Sequence, residues 1–247
     1  MPNAQQLILL RNDCDKMLRI ADEALDKGDS SKALTMYKTA VTRAEEIFRI
    51  SNADIDRELV IKVYEHMAKY HRTMYNYSHL TSESHQAFAY YERIVVLYKE
   101  LIANYEKEQY NLAVRNFLED LLQVIKLSLE LKNYNLYADY NKMAITYAKA
   151  LNKANPVYES EQYLILLNIF RGDYYRFKKK YRFAYVYYYV AMKKLKKIYN
   201  NYPQDGIRND LSAVYTSLYE MSLLLNYKRS KNKYKALALE SKGDKRE

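Results

Sequence analysis

Two arginines carry the most specific chemistry that this sequence offers. Arg72 and Arg176 each lie in a stretch whose apolar residues recur every three or four positions, as in an amphipathic helix. Guanidinium groups from two helices can converge on one phosphate and bind it through charge-assisted, often bidentate hydrogen bonds. Lys69 lies one turn before Arg72 and is a third donor for the same anion. The alternative is that each cation is solvated or paired with a carboxylate.

Gly172 stands inside the helical pattern that leads to Arg176. A glycine within a helix costs about 1 kcal/mol relative to alanine, so its presence there predicts that another helix or a ligand comes close to the backbone. Arg176 follows four residues later, which places it one full helical turn beyond the glycine.

The hexapeptide Gly-Asp-Tyr-Tyr-Arg-Phe at residues 172–177 resembles the Gly-Asp-Tyr-Tyr-Arg-Tyr signature of the 14-3-3 family. In that family the arginine and the final tyrosine bind the phosphate of a phosphoserine or phosphothreonine partner. The segment from Ser51 to Arg72 is also similar to the family, and Arg72 falls where the second phosphate-binding arginine stands. The resemblance implies a 14-3-3-like helical array whose groove binds phosphate through Arg72, Arg176 and Lys69.

Three positions of the implied pocket depart from the family. Glu65 stands where the family has a lysine, Asn76 replaces an arginine, and Phe177 lacks the hydroxyl of the final tyrosine. Glu65 adds a negative charge that competes with a phosphate for Lys69 and Arg72. The sequence therefore predicts weakened or altered phosphopeptide binding.

Glycine and proline are scarce, with four and three residues in 247, and this favours long helices with few breaks. We expect an all-α fold of about eight to ten antiparallel helices. The set Gly28, Ala33, Tyr37 and Ala40 also resembles part of a tetratricopeptide repeat, and residues 172–191 contain a comparable set. The two sets are not separated by a multiple of 34 residues, the length of a tetratricopeptide repeat. A tetratricopeptide-like array is therefore kept as the alternative and not as the main prediction.

The resemblance implies a single 14-3-3-like domain over residues 1–228, with an insertion somewhere within 80–155 relative to the family. A lysine-rich tail, 229–247, follows and is expected to be a short helix or disordered. The polar stretch 81–86 is predicted to be a loop, and 203–206 another. Two apolar stripes are also predicted, on the first helix and on the third. They comprise Leu10, Met17, Ala21 and Leu25, and Leu59, Val63, Met67, Tyr70, Met74 and Tyr77. The first stripe packs either within the chain or across the two-fold axis of a homodimer.

Enzymatic motifs are not found. Cys14 is the only cysteine, the four histidines lack metal-ligand spacing, and there is no Gly-rich phosphate loop or nucleophile elbow. We expect neither enzymatic activity nor a cofactor or metal. The net charge is +10, but no nucleic-acid-binding motif accompanies it, so a nucleic-acid partner is not expected. No secretory signal or membrane-spanning stretch is evident, which predicts a cytoplasmic protein.

Two functions follow from these patterns. The first is a signalling adaptor that binds phosphoserine- or phosphothreonine-containing segments of other proteins in a concave groove. The second is a helical scaffold for protein–protein interaction whose phosphate pocket has been lost. Arg72 and Arg176 favour the adaptor, whereas Glu65, Asn76 and Phe177 favour the scaffold.

Overall fold

The computed structural model describes residues 3–156 and 158–243, and in these ranges the chain forms ten α-helices and no strand. The helices are α1 (Ala4–Asp26), α2 (Ser30–Ser51), α3 (Asp54–Ser78), α4 (Thr81–Asn104), α5 (Lys107–Glu130), α6 (Tyr134–Ala154), α7 (Tyr158–Phe177), α8 (Tyr181–Asn201), α9 (Asp205–Leu224) and α10 (Lys228–Gly243). The predicted all-α array of antiparallel helices is confirmed.

The chain divides into two compact units after Leu131. Unit 1 contains α1 to α5, and unit 2 contains α6 to α10. Within each unit every helix packs against the next one along the chain. Most of the lysine-rich segment 229–247 belongs to α10, whose Tyr234 is buried in the core formed with α8 and α9.

Three-residue turns of one geometry close three of the helical hairpins. After α1, Gly28 has φ +81°, and the Asp29 amide donates to the Ala24 carbonyl at 2.8 Å. After α7, Lys179 has φ +55°, and the Lys180 amide donates to the Tyr175 carbonyl at 2.8 Å. The turn after α9 repeats the pattern around Asn226. These bonds satisfy carbonyls that a helix end leaves free, as in a Schellman motif.

The α1–α2 and α7–α8 hairpins share one packing arrangement at positions 151 residues apart. In the first hairpin the buried Tyr37 donates from its hydroxyl to Asp22 at 2.5 Å. In the second, Tyr188 donates to Asp173 at 2.6 Å. A Cβ added to Gly172 would lie 2.5 Å from the Tyr188 ring, so the close approach predicted at this glycine is made by a neighbouring helix.

Several predicted boundaries and faces are wrong in detail. Residues 81–86 are not a loop, because α4 begins at Thr81 and the turn before it is only His79 and Leu80. Gly206 lies in the first turn of α9 rather than in a loop. On α3 the predicted apolar stripe is buried from Leu59 to Tyr70, but Tyr77, in the last turn of the helix, is 80% exposed.

The buried stripe of α1 is offset from the predicted one. It consists of Cys14, Leu18, Ala21 and Ala24. Small residues fill it because α1 lies close against α2, whose own buried face is rich in alanine. The intrachain hairpin, one of the two alternatives for this stripe, is therefore present.

Candidate functional site

Arg72 is positioned on α3 with its guanidinium occupied by a carboxylate of the same unit. Its two Nη atoms donate to Glu130 on α5 at 2.6 and 3.3 Å. The guanidinium also lies over the Tyr75 ring, 5.7 Å from the centroid. The bidentate pairing that a phosphate would need is thus made to Glu130, which a ligand would have to displace.

Arg176 is similarly paired in unit 2. It lies on the last turn of α7 and donates from Nη1 to Glu220 of α9 at 3.1 Å. Asp173, one turn earlier, lies 3.9 Å from Nη2. The Asp173 carboxylate is itself held by the Tyr188 hydroxyl, so the α7–α8 hairpin positions one of the two acids beside the arginine.

The remaining predicted site residues lie near these arginines in the sequence. Lys69 is 3.9 Å from Glu65, as the i, i+4 spacing allows, and is exposed. Asn76 is exposed near the end of α3. Phe177 is 47% exposed, with the Arg176 guanidinium over its ring. The structure places Glu65, Lys69, Arg72 and Asn76 on α3 of unit 1, and Arg176 and Phe177 on α7 of unit 2.

Asp120 is the polar residue that the sequence analysis missed. It lies on α5, is 7% exposed, and its Oδ2 atom has no hydrogen-bond partner among the described residues. Burial and the neighbouring Glu65 carboxylate raise the pKa of Asp120 to about 8. Burial also raises the pKa of Glu65, against the opposing effect of Lys69. One carboxyl of this pair is therefore protonated near neutral pH.

A sequence signal for this residue exists. Phe117, Asp120, Val124 and Leu127 follow one another at steps of three, four and three residues. That spacing places all four on one face of a helix, and the other three members are apolar. An aspartate on an otherwise apolar stripe predicts a buried carboxyl.

A cavity of about 380 Å³ lies between α3, α4 and α5, all within unit 1, and we call it the α3–α5 groove. It is lined by Glu58, Ile61, Lys62, Glu65, Tyr98, Leu101, Tyr105, Gln109, Leu112, Ala113 and Asn116. The Tyr105 hydroxyl donates to Glu58, and Lys62 pairs with Asp15 at 2.8 Å. The groove combines apolar walls with carboxylates and amides, and its size is typical of ligand pockets.

None of the helices in the described ranges is long and apolar enough to cross a membrane.

Comparisons with known proteins place the chain by fold alone. No family model matches the sequence, and no curated protein matches it. Among solved structures it is similar to BtubC (BKLC) from P. vanneervenii, with a TM-score of 0.60 and 16% identity over 98% of this chain and 94% of that one. Two other matches score lower. The S. pombe nuclear import adaptor Nro1 gives 0.41 at 10% identity, covering 95% of this chain and 93% of that one. The designed helical repeat protein DHR64 gives 0.36 at 15% identity, with coverage of 94% and 96%. The chain therefore shares with BtubC a fold of antiparallel helical hairpins.

Proposed function

We propose that this protein is a non-enzymatic scaffold that binds a segment of a partner protein in the α3–α5 groove. The observation that carries the proposal is the groove itself. Three consecutive helices form its walls, and it presents apolar surface beside hydrogen-bonding groups. Leu112, at the groove, leaves 63% of its surface exposed, which is an apolar contact available to a partner.

The charges in the groove favour a neutral or basic segment over a phosphorylated one. Glu58 and Glu65 line it, and Lys62, the lining cation, is already paired with Asp15. A phosphate dianion placed there would meet two acidic side chains in partly buried surroundings, where repulsion is weakly screened.

A selection of displayed random peptides on the full-length protein tests the proposal. Leu112→Asp changes the groove, and Val96→Asp is the matched control, because Val96 is 56% exposed on α4 and does not line the groove. We expect selected peptides to bind the wild-type and Val96→Asp proteins equally and Leu112→Asp at least tenfold more weakly. Peptides that bind all three proteins with equal affinity would show that the groove is not their site.

The second candidate function is the phosphopeptide adaptor. It is supported by the resemblance of residues 172–177 to the 14-3-3 signature and by the match of Arg72 to the second phosphate-binding arginine. The carboxylates of Glu130 and Glu220 occupy these two guanidiniums, so any phosphate site must first release them. Adaptor binding is therefore expected to be weak in the wild-type protein.

Fluorescence anisotropy with matched phosphoserine and serine peptides at a stated salt concentration tests this second candidate. Glu130→Gln and Glu220→Gln remove the competing charges while keeping the side-chain shape, and together they should raise the preference for the phosphorylated peptide. Arg176→Ala should then abolish the preference. If neither the wild-type protein nor the double variant distinguishes the two peptides, the adaptor function is excluded.

A further inference from the structure

The two units carry opposite net charges. Unit 1 contains 17 lysines and arginines against 20 aspartates and glutamates, a formal charge of −3. Unit 2 contains 23 against 10, a formal charge of +13. The basic character of the chain is thus a property of unit 2, and a polyanionic partner would be attracted to that unit.

The longest stretch of unit 2 without an acidic residue runs from the end of α7 through α8. Residues 174–204 contain nine lysines and arginines and no aspartate or glutamate. Five of the nine lie within residues 176–183, which we call the basic–aromatic turn. Lys178, Lys179, Lys180 and Arg182 are all exposed there. Glu220 of α9 and Asp173 of α7 are the acids that face Arg176, and both are engaged by it.

Exposed phenylalanines bracket these cations. All six phenylalanines of the chain lie in the described residues, and only Phe177 and Phe183 are exposed, at 47% and 58%. Each flanks the run of cations in the basic–aromatic turn. Together, the two exposed rings and the four cations between them form one continuous surface that combines apolar and positively charged groups.

The Phe183 ring is stacked on neighbouring rings of unit 2. Phe183 stacks on Tyr175, with centroids 5.3 Å apart and planes inclined by 27°. Tyr175 stacks in turn on Tyr187 at 5.4 Å and 5°, and the Arg171 guanidinium lies over Tyr187. The Phe183 ring therefore has one face supported by the protein and presents its exposed surface to solvent.

This geometry distinguishes between polyanions. Insertion into a lipid surface requires apolar side chains that project beyond the cations, whereas Phe183 lies against its neighbours. An acidic peptide supplies the charge, but its charged side chains carry no aromatic face, whereas each nucleotide carries a phosphate and a base together. A single-stranded nucleic acid supplies phosphates for the cations and base faces for the ring.

We propose that the basic–aromatic turn binds single-stranded nucleic acid, with phosphates contacted by Lys178, Lys179, Lys180 and Arg182 and a base stacked on Phe183. This reverses the expectation from sequence, which had no means of showing that the two phenylalanines of this turn are exposed. The proposal is independent of the groove in unit 1.

Anisotropy titrations of fluorescein-labelled dT20 and rU20 at 50 and 200 mM salt test the proposal. The triple variant Lys178→Gln, Lys179→Gln, Lys180→Gln should weaken binding at least tenfold. It should also reduce the slope of log K against log salt by about two, as expected for three lost phosphate contacts on a single strand. The control triple variant Lys231→Gln, Lys233→Gln, Lys235→Gln removes the same charge from α10 and should weaken binding less than threefold.

The stacking contact has its own test. Phe183→Leu keeps an apolar side chain but removes the aromatic face, and it should weaken binding about fivefold or more. Val186→Ala, at an exposed apolar position of the same helix, should have no effect. Circular dichroism of each variant establishes that it is folded.

Three results would overturn the proposal. The first is absence of oligonucleotide binding at 50 mM salt. The second is equal affinity of the wild-type protein and Phe183→Leu, which would reduce the surface to a non-specific polycation. The third is tighter, Phe183-dependent binding to vesicles of phosphatidylcholine and phosphatidylserine than to dT20, which would assign the turn to a lipid surface instead.

Discussion

Replacing Asp120 by asparagine should stabilise the protein, and by an amount that grows with pH. The carboxyl is buried on α5 beside Glu65, and its pKa is raised to about 8 from an ordinary value of 3.8. A folded state with the higher pKa binds a proton more tightly than the unfolded chain does. The native carboxyl therefore has no electrostatic cost below about pH 4, and its cost increases until the pH exceeds about 8.

The size of the effect follows from the shift. About four pKa units at 1.36 kcal/mol each set a ceiling of roughly 5 kcal/mol on the stability lost to ionisation above pH 8. The actual loss is smaller than this ceiling, because Glu65 can take up the proton when Asp120 ionises. We therefore expect Asp120→Asn to gain about 2–3 kcal/mol at pH 8.5 and only about 1 kcal/mol at pH 4.5, where the unfolded carboxyl is already mostly ionised.

Urea unfolding followed by far-ultraviolet circular dichroism at pH 4.5, 6.5 and 8.5 measures this difference. Asp13→Asn is the matched control, because Asp13 is exposed on α1 of the same unit and lies outside the buried carboxyl pair. A stability gain for Asp120→Asn that is the same at all three pH values would refute the reasoning, since only ionisation of the buried pair makes the gain depend on pH.

Three further substitutions or treatments have defined outcomes. Gly172→Ala places a methyl group 2.5 Å from the Tyr188 ring and should cost about 1–3 kcal/mol despite the higher helix propensity of alanine, measured by thermal unfolding. Burial alone would raise the pKa of Asp56. Its hydrogen bonds, which include those donated by Arg11 at 2.6 and 2.8 Å, outweigh burial, so the pKa is lowered. The ionised Asp56 carboxylate stabilises the folded protein fully above about pH 4, and this stabilisation is lost as the pH falls through the lowered pKa. Asp56→Asn should therefore lower the free energy of unfolding by about 3 kcal/mol at pH 7 and by much less at pH 3. Cys14 is fully buried and its pKa is raised to about 11 by burial, so a thiol reagent at pH 8 should modify it only at the rate at which unfolding exposes it.

The periodicity of the sequence was sufficient to predict the fold class because helical packing repeats locally. Glycine destabilises a helix, so Gly172 predicted that another group lies close to the helix backbone at that position. The structure has the Tyr188 ring there. The start of α4 was missed for a physical reason as well. Thr81, Ser82 and Glu83 are polar because they form an exposed first helical turn, and polarity alone does not separate such a turn from a loop.

The electrostatic partners were not predictable from local sequence. Glu130 is 58 residues from Arg72, and Glu220 is 44 residues from Arg176. The arginines meet these carboxylates only because α3, α4 and α5, and likewise α7, α8 and α9, pack in succession. Local sequence patterns do not predict that arrangement. A resemblance in sequence can match the arginines of a phosphate site but cannot show what already occupies them.

The opposite charges of the two units make the two proposed sites separable by experiment. Leu112→Asp adds one negative charge at the α3–α5 groove and leaves residues 176–183 unchanged, so it should weaken peptide binding at least tenfold and leave the affinity for dT20 within twofold. Phe183→Leu alters unit 2 alone, so it should weaken dT20 binding about fivefold or more and leave the affinity for the peptide within twofold. The salt dependence should differ in the same way. Peptide binding through apolar contacts should vary little between 50 and 200 mM salt, whereas oligonucleotide binding should weaken steeply because it releases condensed counterions. If both variants lose both activities, the two surfaces are coupled, and neither can be assigned to one unit.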